Sequence, residues 1–273
     1  MKREKVRDVL MWCGAYLADD HFCYSKKEGG WVHARDYVNK DAVYLYPGIV
    51  GGMCRINAEE AISKDIEAVV GPTTGGVSLS QWTAYWYNRM HPRDTRYAHA
   101  VFADEEDRIE EKIIDNTRLQ LNVAGPLIFA AAGMVEIDFF PTGLLKRVRY
   151  MAKIRTGTRR VIRRGYDKIV QGKRCMVVDD VVVSAKTLQE TIEAVQNAGG
   201  EVVSVKVICD RSGGRVNAAM LGVQEYSFLC EIEAHTEPAE SCWMCREEGV
   251  MSLRTDVGHG KDFLIEKGLL LPR

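Results

Sequence analysis

Hydrophobic and polar positions along the chain alternate between two periods. Residues 5–18 place apolar side chains at helical spacing, so the chain is expected to open on an amphipathic helix. IEAVVGP (66–72) is a short apolar run that ends in the Gly-rich turn TTGG, which predicts a buried strand. The segment VSLSQWTAYWYNRM then reads as a helix with one apolar face, on which Trp82, Tyr85 and Trp86 are expected to be core. RYAHAVFAD (96–104), CMVVDD (175–180), VVSVKVICD (202–210) and YSFLCEIEA (226–234) read as further strands, with the helical pattern LQETIEAVQNAGG between the second and third. Residues 21–56 look like short strands and loops, with a helix starting at Ala58, and the tail from about 236 looks irregular and polar. Strands alternating with helices imply an α/β fold: a mostly parallel open sheet flanked by helices, with right-handed crossovers.

The densest chemical signal is RCMVVDDVVVSAKT (174–187). A buried strand ends in Asp179 and Asp180, and a short loop follows and opens a helix. Open α/β sheets bind ligands at this place. Backbone N–H groups at the helix start suit a phosphate. Two carboxylates beside it suit a ribose diol, since each accepts a hydrogen bond from a hydroxyl. The pattern describes a pocket for a ribose 5-phosphate, against the alternative that the acids simply cap the helix or face solvent.

Composition narrows the class without choosing an activity. With 273 residues, 46% hydrophobic and 27% charged, the chain fits one α/β domain or two small ones. A formal net charge of −1 gives no global field favouring nucleic acid. Asp104–Asp115 is acidic and Lys146–Arg164 is basic, which suits either solvated surface or, for the basic run, a phosphate-rich partner. The scattered cysteines and an N-terminus unlike a signal sequence point to the cytoplasm, with no membrane span. Cys242-x-x-Cys245 is half of a zinc pattern, with Cys230, His235 and His259 nearby, and no resident metal site is assigned.

RCMVVDDVVVSAKT resembles the 5-phosphoribosyl 1-diphosphate (PRPP) motif of type I phosphoribosyltransferases, in which apolar residues precede an acidic pair and a loop of the form V-x-T-x-G-x-T/S. Further segments resemble orotate phosphoribosyltransferase in the same order: VRDVLMWCGAYLADDHFCYS, DYVNKDAVYLYP, VVGPTTGGVSLSQWTA, RRGYDKIVQGKRCMVVDD, VICDRSGG and DVGHGKDFL. The resemblance implies a single phosphoribosyltransferase-like domain over 1–273, with a hood over 1–60, an insertion at 107–155 and a C-terminal extension at 236–273. It implies transfer of ribose 5-phosphate from PRPP to orotate, with Mg²⁺, in a homodimer. The alternatives are another base, or an impaired PRPP- or nucleotide-binding regulator.

By the same resemblance, Asp179 and Asp180 hold the ribose and Thr73, Thr74, Gly75 and Gly76 hold the diphosphate. Val183, Ser184, Ala185, Lys186 and Thr187 hold the 5′-phosphate, and Arg211 and Lys26 contact the base. Val183 stands where threonine is usual, Ala185 where glycine is usual, and Glu105 where a diphosphate-approaching lysine is usual. Losing preorganised charge near a leaving group costs about 10²–10³ in rate per group. Turnover is therefore expected to be slow, unless arginines of the inserted basic run, Arg155, Arg159 or Arg160, have taken the lysine's place.

Overall fold

The computed structural model describes residues 1–24, 26, 30–61, 65–91, 98–116, 131–139, 145–233 and 235–271, with backbone alone over the described part of 111–156. The chain divides into two compact units: Met1–Asp104 with Arg160–Arg273, and Glu105–Arg159. The first unit opens with α1 (Val6–Trp12), β1 (Tyr16–Leu17), β2 (Phe22–Cys23), β3 (Val32–Ala34), β4 (Tyr37–Val38), α2 (Lys40–Val43) and α3 (Pro47–Glu60). β5 (Ala68–Pro72) and α4 (Gly76–Met90) follow, and then β6 (His99–Asn116), β7 (Ala131–Phe139) and β8 (Leu145–Ile162). The chain continues through α5 (Tyr166–Val170), β9 (Arg174–Val182), α6 (Lys186–Asn197), β10 (Glu201–Asp210), α7 (Ala218–Leu221) and β11 (Glu225–Glu231). It ends with β12 (Thr236–Pro238), α8 (Trp243–Glu247) and α9 (Gly260–Glu266).

The main sheet runs β11-β10-β9-β5-β6-β8-β7. Every pairing from β11 to β6 is parallel, as the βαβ rhythm of the sequence requires. β9 shows how the sheet is held. Met176 and Val178 bury against the cluster that includes α3 and α4, whereas Cys175 and Val177 bury against the cluster that includes α6. Successive side chains of a strand point to opposite faces, so the next two residues, Asp179 and Asp180, also diverge. The second unit contains β7 paired antiparallel with β8. The acidic run lies on β6 and the basic run on β8, and these strands are neighbours in the sheet. Within this unit Arg159 pairs with Glu106 at 2.5 Å. Of the expected insertion at 107–155, residues 117–130 and 140–144 lie outside the described residues.

Four elements differ from the expectations. The first helix stops at Trp12, and Gly14 takes φ +72°, turning the chain into β1. A helix occupies Pro47–Glu60, where the sequence pattern predicts short strands and loops to residue 56 and a helix start only at Ala58. Its glycines lower helix propensity, and one of them, Gly51, faces the Trp82 ring of α4, which a Cβ there would meet at 3.4 Å. On α4 itself the buried face is Gly76, Leu79, Ser80, Thr83, Ala84 and Tyr87. Trp82 and Trp86 are only partly buried, and Tyr85 is 49% exposed. Finally, the tail is not irregular. β12 joins β3 and β2 in a small antiparallel sheet, and Leu253, Phe263 and Leu264 form a core with Cys23 and Trp31. The small sheet and the C-terminal helices thus build one covering layer from the two ends of the chain. Among the described residues, no helix is long and apolar enough to cross a membrane.

Candidate active site

The acidic pair sits near the carboxyl end of β9, and both side chains are buried. Backbone N–H groups fix them locally: Asp180 N–H donates to Asp179 Oδ1 at 2.9 Å, and Val181 N–H to Asp180 Oδ1 at 2.7 Å. Asp180 turns its other oxygen toward α2. Lys40 Nζ lies 3.2 Å from Asp180 Oδ2. The Tyr44 hydroxyl stands 3.1 Å from the same oxygen and 2.8 Å from the Gly75 carbonyl, and donates to one at a time. Burial opposes the charge of Lys40, but Asp180 and then Asp179 outweigh it, so its pKa is raised. Asp179 behaves differently. Burial first, and the neighbouring Asp180 second, push its carboxyl up to about 7.

The turn after β5 meets this pair. A Cβ on Gly75 would lie 2.2 Å from Asp180 Oδ2, and a Cβ on Gly71 would lie 2.0 Å from the Gly76 carbonyl oxygen. Only glycine lets the turn close this tightly against Asp180. The Thr73–Thr74 peptide is cis. Arg160 Nη1 donates to the Thr73 carbonyl at 2.6 Å and lies 3.3 Å from Thr73 Oγ1. A cleft of about 580 Å³ is lined by Lys40, Asp41, Tyr44, Thr74, Gly75 and Ser78.

The 183–187 loop joins β9 to α6, whose first residue is Lys186. Val183 is 51% exposed, Ala185 is buried, and Lys186 lies 3.8 Å from Glu190. Arg211 follows β10 directly. Its Nη2 donates to the Tyr24 hydroxyl at 2.5 Å, and its guanidinium lies 5.0 Å from the Tyr24 ring centre. Tyr24 and Tyr37 of β4 pack at 5.2 Å, so two aromatic rings gather beside Arg211 at the end of β10.

Not every expected position joins the cluster. Lys26 pairs with Glu266 of α9 at 2.7 Å, on an exposed edge of the covering layer. Glu105 begins the second unit. Of the three candidate arginines, Arg160 reaches the Thr73 turn, Arg159 is held by Glu106, and the side chain of Arg155 lies outside the described residues. Lys40 and Tyr44 were not singled out from the sequence, although they lie in the segment DYVNKDAVYLYP. A lysine and a tyrosine four residues apart on one helical face were the available signal.

Strand ends, a glycine turn and an acidic pair converge here as in an enzyme that handles a phosphorylated sugar. Residues 142–224 match the family described as the phosphoribosyl transferase domain. The orotate phosphoribosyltransferase of Desulforamulus reducens is 32% identical over 254 residues, covering 93% of this chain and 96% of that one. That of Caldicellulosiruptor bescii is 27% identical over 231 residues, covering 85% and 86%. The structure of Mycobacterium tuberculosis orotate phosphoribosyltransferase with Fe(III) dicitrate is similar at a TM-score of 0.48 and 15% identity, over 84% of this chain and 96% of that one. The chain belongs to the type I phosphoribosyltransferase family, and within it is similar to the orotate phosphoribosyltransferases. It is an enzyme of the glycosyl-transfer class.

Proposed function

We propose that the protein transfers ribose 5-phosphate from PRPP to orotate, giving orotidine 5′-monophosphate and pyrophosphate, in the cytoplasm and as a homodimer. The observation that carries this reading is the contact of the Gly75 turn with Asp180, which sets a diphosphate-sized glycine turn against a ribose-sized acidic pair. In the reaction the bond from C1 of the ribose to the diphosphate oxygen breaks, and a bond from C1 to a ring nitrogen of the base forms. The sugar passes through a cationic, oxocarbenium-like state. Catalysis therefore rests on positioning and on charge placed near the leaving group.

Each part of the chain has a role in that scheme. Asp180 and Asp179 accept hydrogen bonds from the ribose hydroxyls. Backbone N–H groups of Thr74–Gly76 face the diphosphate, with Arg160 and Lys40 supplying positive charge beside the turn. The loop Val183–Thr187 and the start of α6 receive the 5′-phosphate. Arg211 offers a planar fork of donors to the carboxylate of the base, and Tyr24 packs beneath it. Two adjacent buried carboxylates are hard oxygen donors, which fit Mg²⁺ carried with the substrate. Held there, Mg²⁺ would neutralise charge on the diphosphate. Arg160 is the replacement for the lysine that Glu105 displaces.

The test is pyrophosphate release when protein, PRPP and Mg²⁺ are mixed with orotate, uracil, adenine, hypoxanthine or guanine. Release with orotate, reduced about 10²–10³-fold in Arg160→Ala, is expected. Release with a purine alone would replace orotate by that base. No release with any base would overturn the catalytic reading in favour of a PRPP-binding regulator.

A further inference from the structure

The layer built from the two chain ends contains a second constellation, separate from the ribose pocket. His21 precedes β2, His33 is the central residue of β3, Cys242 caps α8, and Cys245 lies in its first turn. One potential ligand atom from each of these residues lies within 4.8 Å of all the others. We propose that His21, His33, Cys242 and Cys245 form a closed, tetrahedral zinc site.

The distances fit that ion. Zinc bonds of about 2.0–2.1 Å to nitrogen and about 2.3 Å to sulfur at tetrahedral angles give N–N edges of about 3.3 Å and N–S edges of about 3.6 Å. Here His21 Nε2 and His33 Nδ1 are 3.1 Å apart. Cys242 Sγ lies 3.4 Å from His21 Nε2. Cys245 Sγ lies 3.7 Å from His21 Nε2 and 3.4 Å from His33 Nδ1. Two nitrogens and two sulfurs in a tetrahedron select zinc among the common divalent metals. Two thiolates also neutralise the ion, as burial of the site requires.

The surroundings fix the ligand atom of His21, while His33 Nε2 is buried with no hydrogen-bond partner among the described residues. The Ser252 hydroxyl donates to the Gly249 carbonyl at 2.7 Å, so its oxygen accepts from His21 Nδ1–H, also at 2.7 Å. That bond leaves the lone pair of His21 Nε2 facing the cluster, the usual arrangement around a metal-bound imidazole. Phe263 packs edge-on to His33 with ring centres 4.8 Å apart. Without a metal, Cys242 can donate to His21 Nε2 and Cys245 to His33 Nδ1, but the two nitrogen lone pairs then face each other across 3.1 Å. A metal ion accepts both lone pairs and both thiolates.

The backbone brings the four residues together for a reason the sequence spacing hides. His33 pairs with Glu237 across β3 and β12, which delivers the following Cys-x-x-Cys to the histidines. The site thereby ties the C-terminal segment to β2 and β3, one residue from Tyr24, which reaches Arg211. The neighbours expected from sequence are not part of it. Cys230 bonds the Ile208 carbonyl, His259 pairs with Asp262, and His235 is absent from the cluster.

The test is elemental analysis of the full-length protein purified from zinc-containing medium. About one zinc per chain is expected. The Cys242→Ser/Cys245→Ser double variant should hold none, while Cys13→Ser, in the main core, should keep it. If the double variant fails to fold, the unmodified protein decides the matter. Stripped and reloaded with Co²⁺, it should show thiolate-to-cobalt charge transfer and the visible bands of a tetrahedral ion. Substoichiometric zinc with no uptake of Zn²⁺ or Co²⁺ would overturn the site. So would a Cys242–Cys245 disulfide, found by thiol titration in the freshly purified protein.

Discussion

Asp179 and Asp180 are adjacent in sequence but not equivalent. The strand turns Asp180 toward Lys40 and Tyr44, whereas burial and its charged neighbour push Asp179 up to about 7. An unfolded aspartate releases its proton near 3.8, so between that value and about 7 the native state binds more protons than the unfolded one. Stability should therefore fall as pH rises through this window. Asp179→Asn removes the effect, and its melting temperature in the absence of ligand should fall less across about pH 4 to 7 than that of the unmodified protein. Equal slopes would show that Asp179 ionises normally. The acids, the glycine turn and Arg211 were readable because each ends a strand of the sheet. Lys40 and Tyr44 were not, because their partner lies far away: Tyr44 and Asp180 are 136 residues apart in the chain. Nor could spacing alone choose among Arg155, Arg159 and Arg160.

The parallel strands stood out as apolar runs because sheets buried on both faces leave little alternation. α3 did not, since its glycines look like a loop until Trp82 is seen packed on Gly51. The C-terminal elements escaped for a similar reason: their few apolar residues bury against β2 and β3, at the other end of the chain. One strand carries an anomaly that the pattern showed without explaining. Lys206 lies within β10, fully buried, with Nζ 2.8 Å from Glu225 and 3.4 Å from Glu60. Removing one partner of a fully buried ion pair costs about 3–5 kcal/mol. Glu60 and Glu225 are about a quarter exposed, and Glu60 also pairs with Arg3, which brings the cost here to about 2 kcal/mol. Lys206→Ala should lose stability on that scale in urea unfolding, and Lys206→Met, which keeps the volume, should lose less. A loss below about 1 kcal/mol for Lys206→Ala would mean the pair contributes no more than a surface one.

At the scale of the molecule, the two ends of the chain share one small sheet and one core. The N-terminal part supplies Lys40, Tyr44 and Tyr24, and the sheet supplies the acids, the turn and Arg211. The C-terminal segment holds the covering strands in place through β12 and, on our proposal, through zinc. The match to the family model, residues 142–224, contains the acidic pair, the loop after β9 and Arg211, whereas Lys40, Tyr44, Tyr24 and the glycine turn lie outside it. The substitutions at Val183, Ala185 and Glu105 leave the acidic pair and the glycine turn intact. PRPP should therefore still bind there, whatever the rate of the chemistry. The decisive measurement is calorimetric titration of PRPP with Mg²⁺ into the unmodified protein and into the Asp179→Asn/Asp180→Asn variant. Losing hydrogen bonds to charged groups costs about 1.5–3 kcal/mol each. The account predicts saturable binding to the unmodified protein and at least about a hundredfold weakening in the double variant. Equal affinity in the two proteins would place PRPP elsewhere and contradict it.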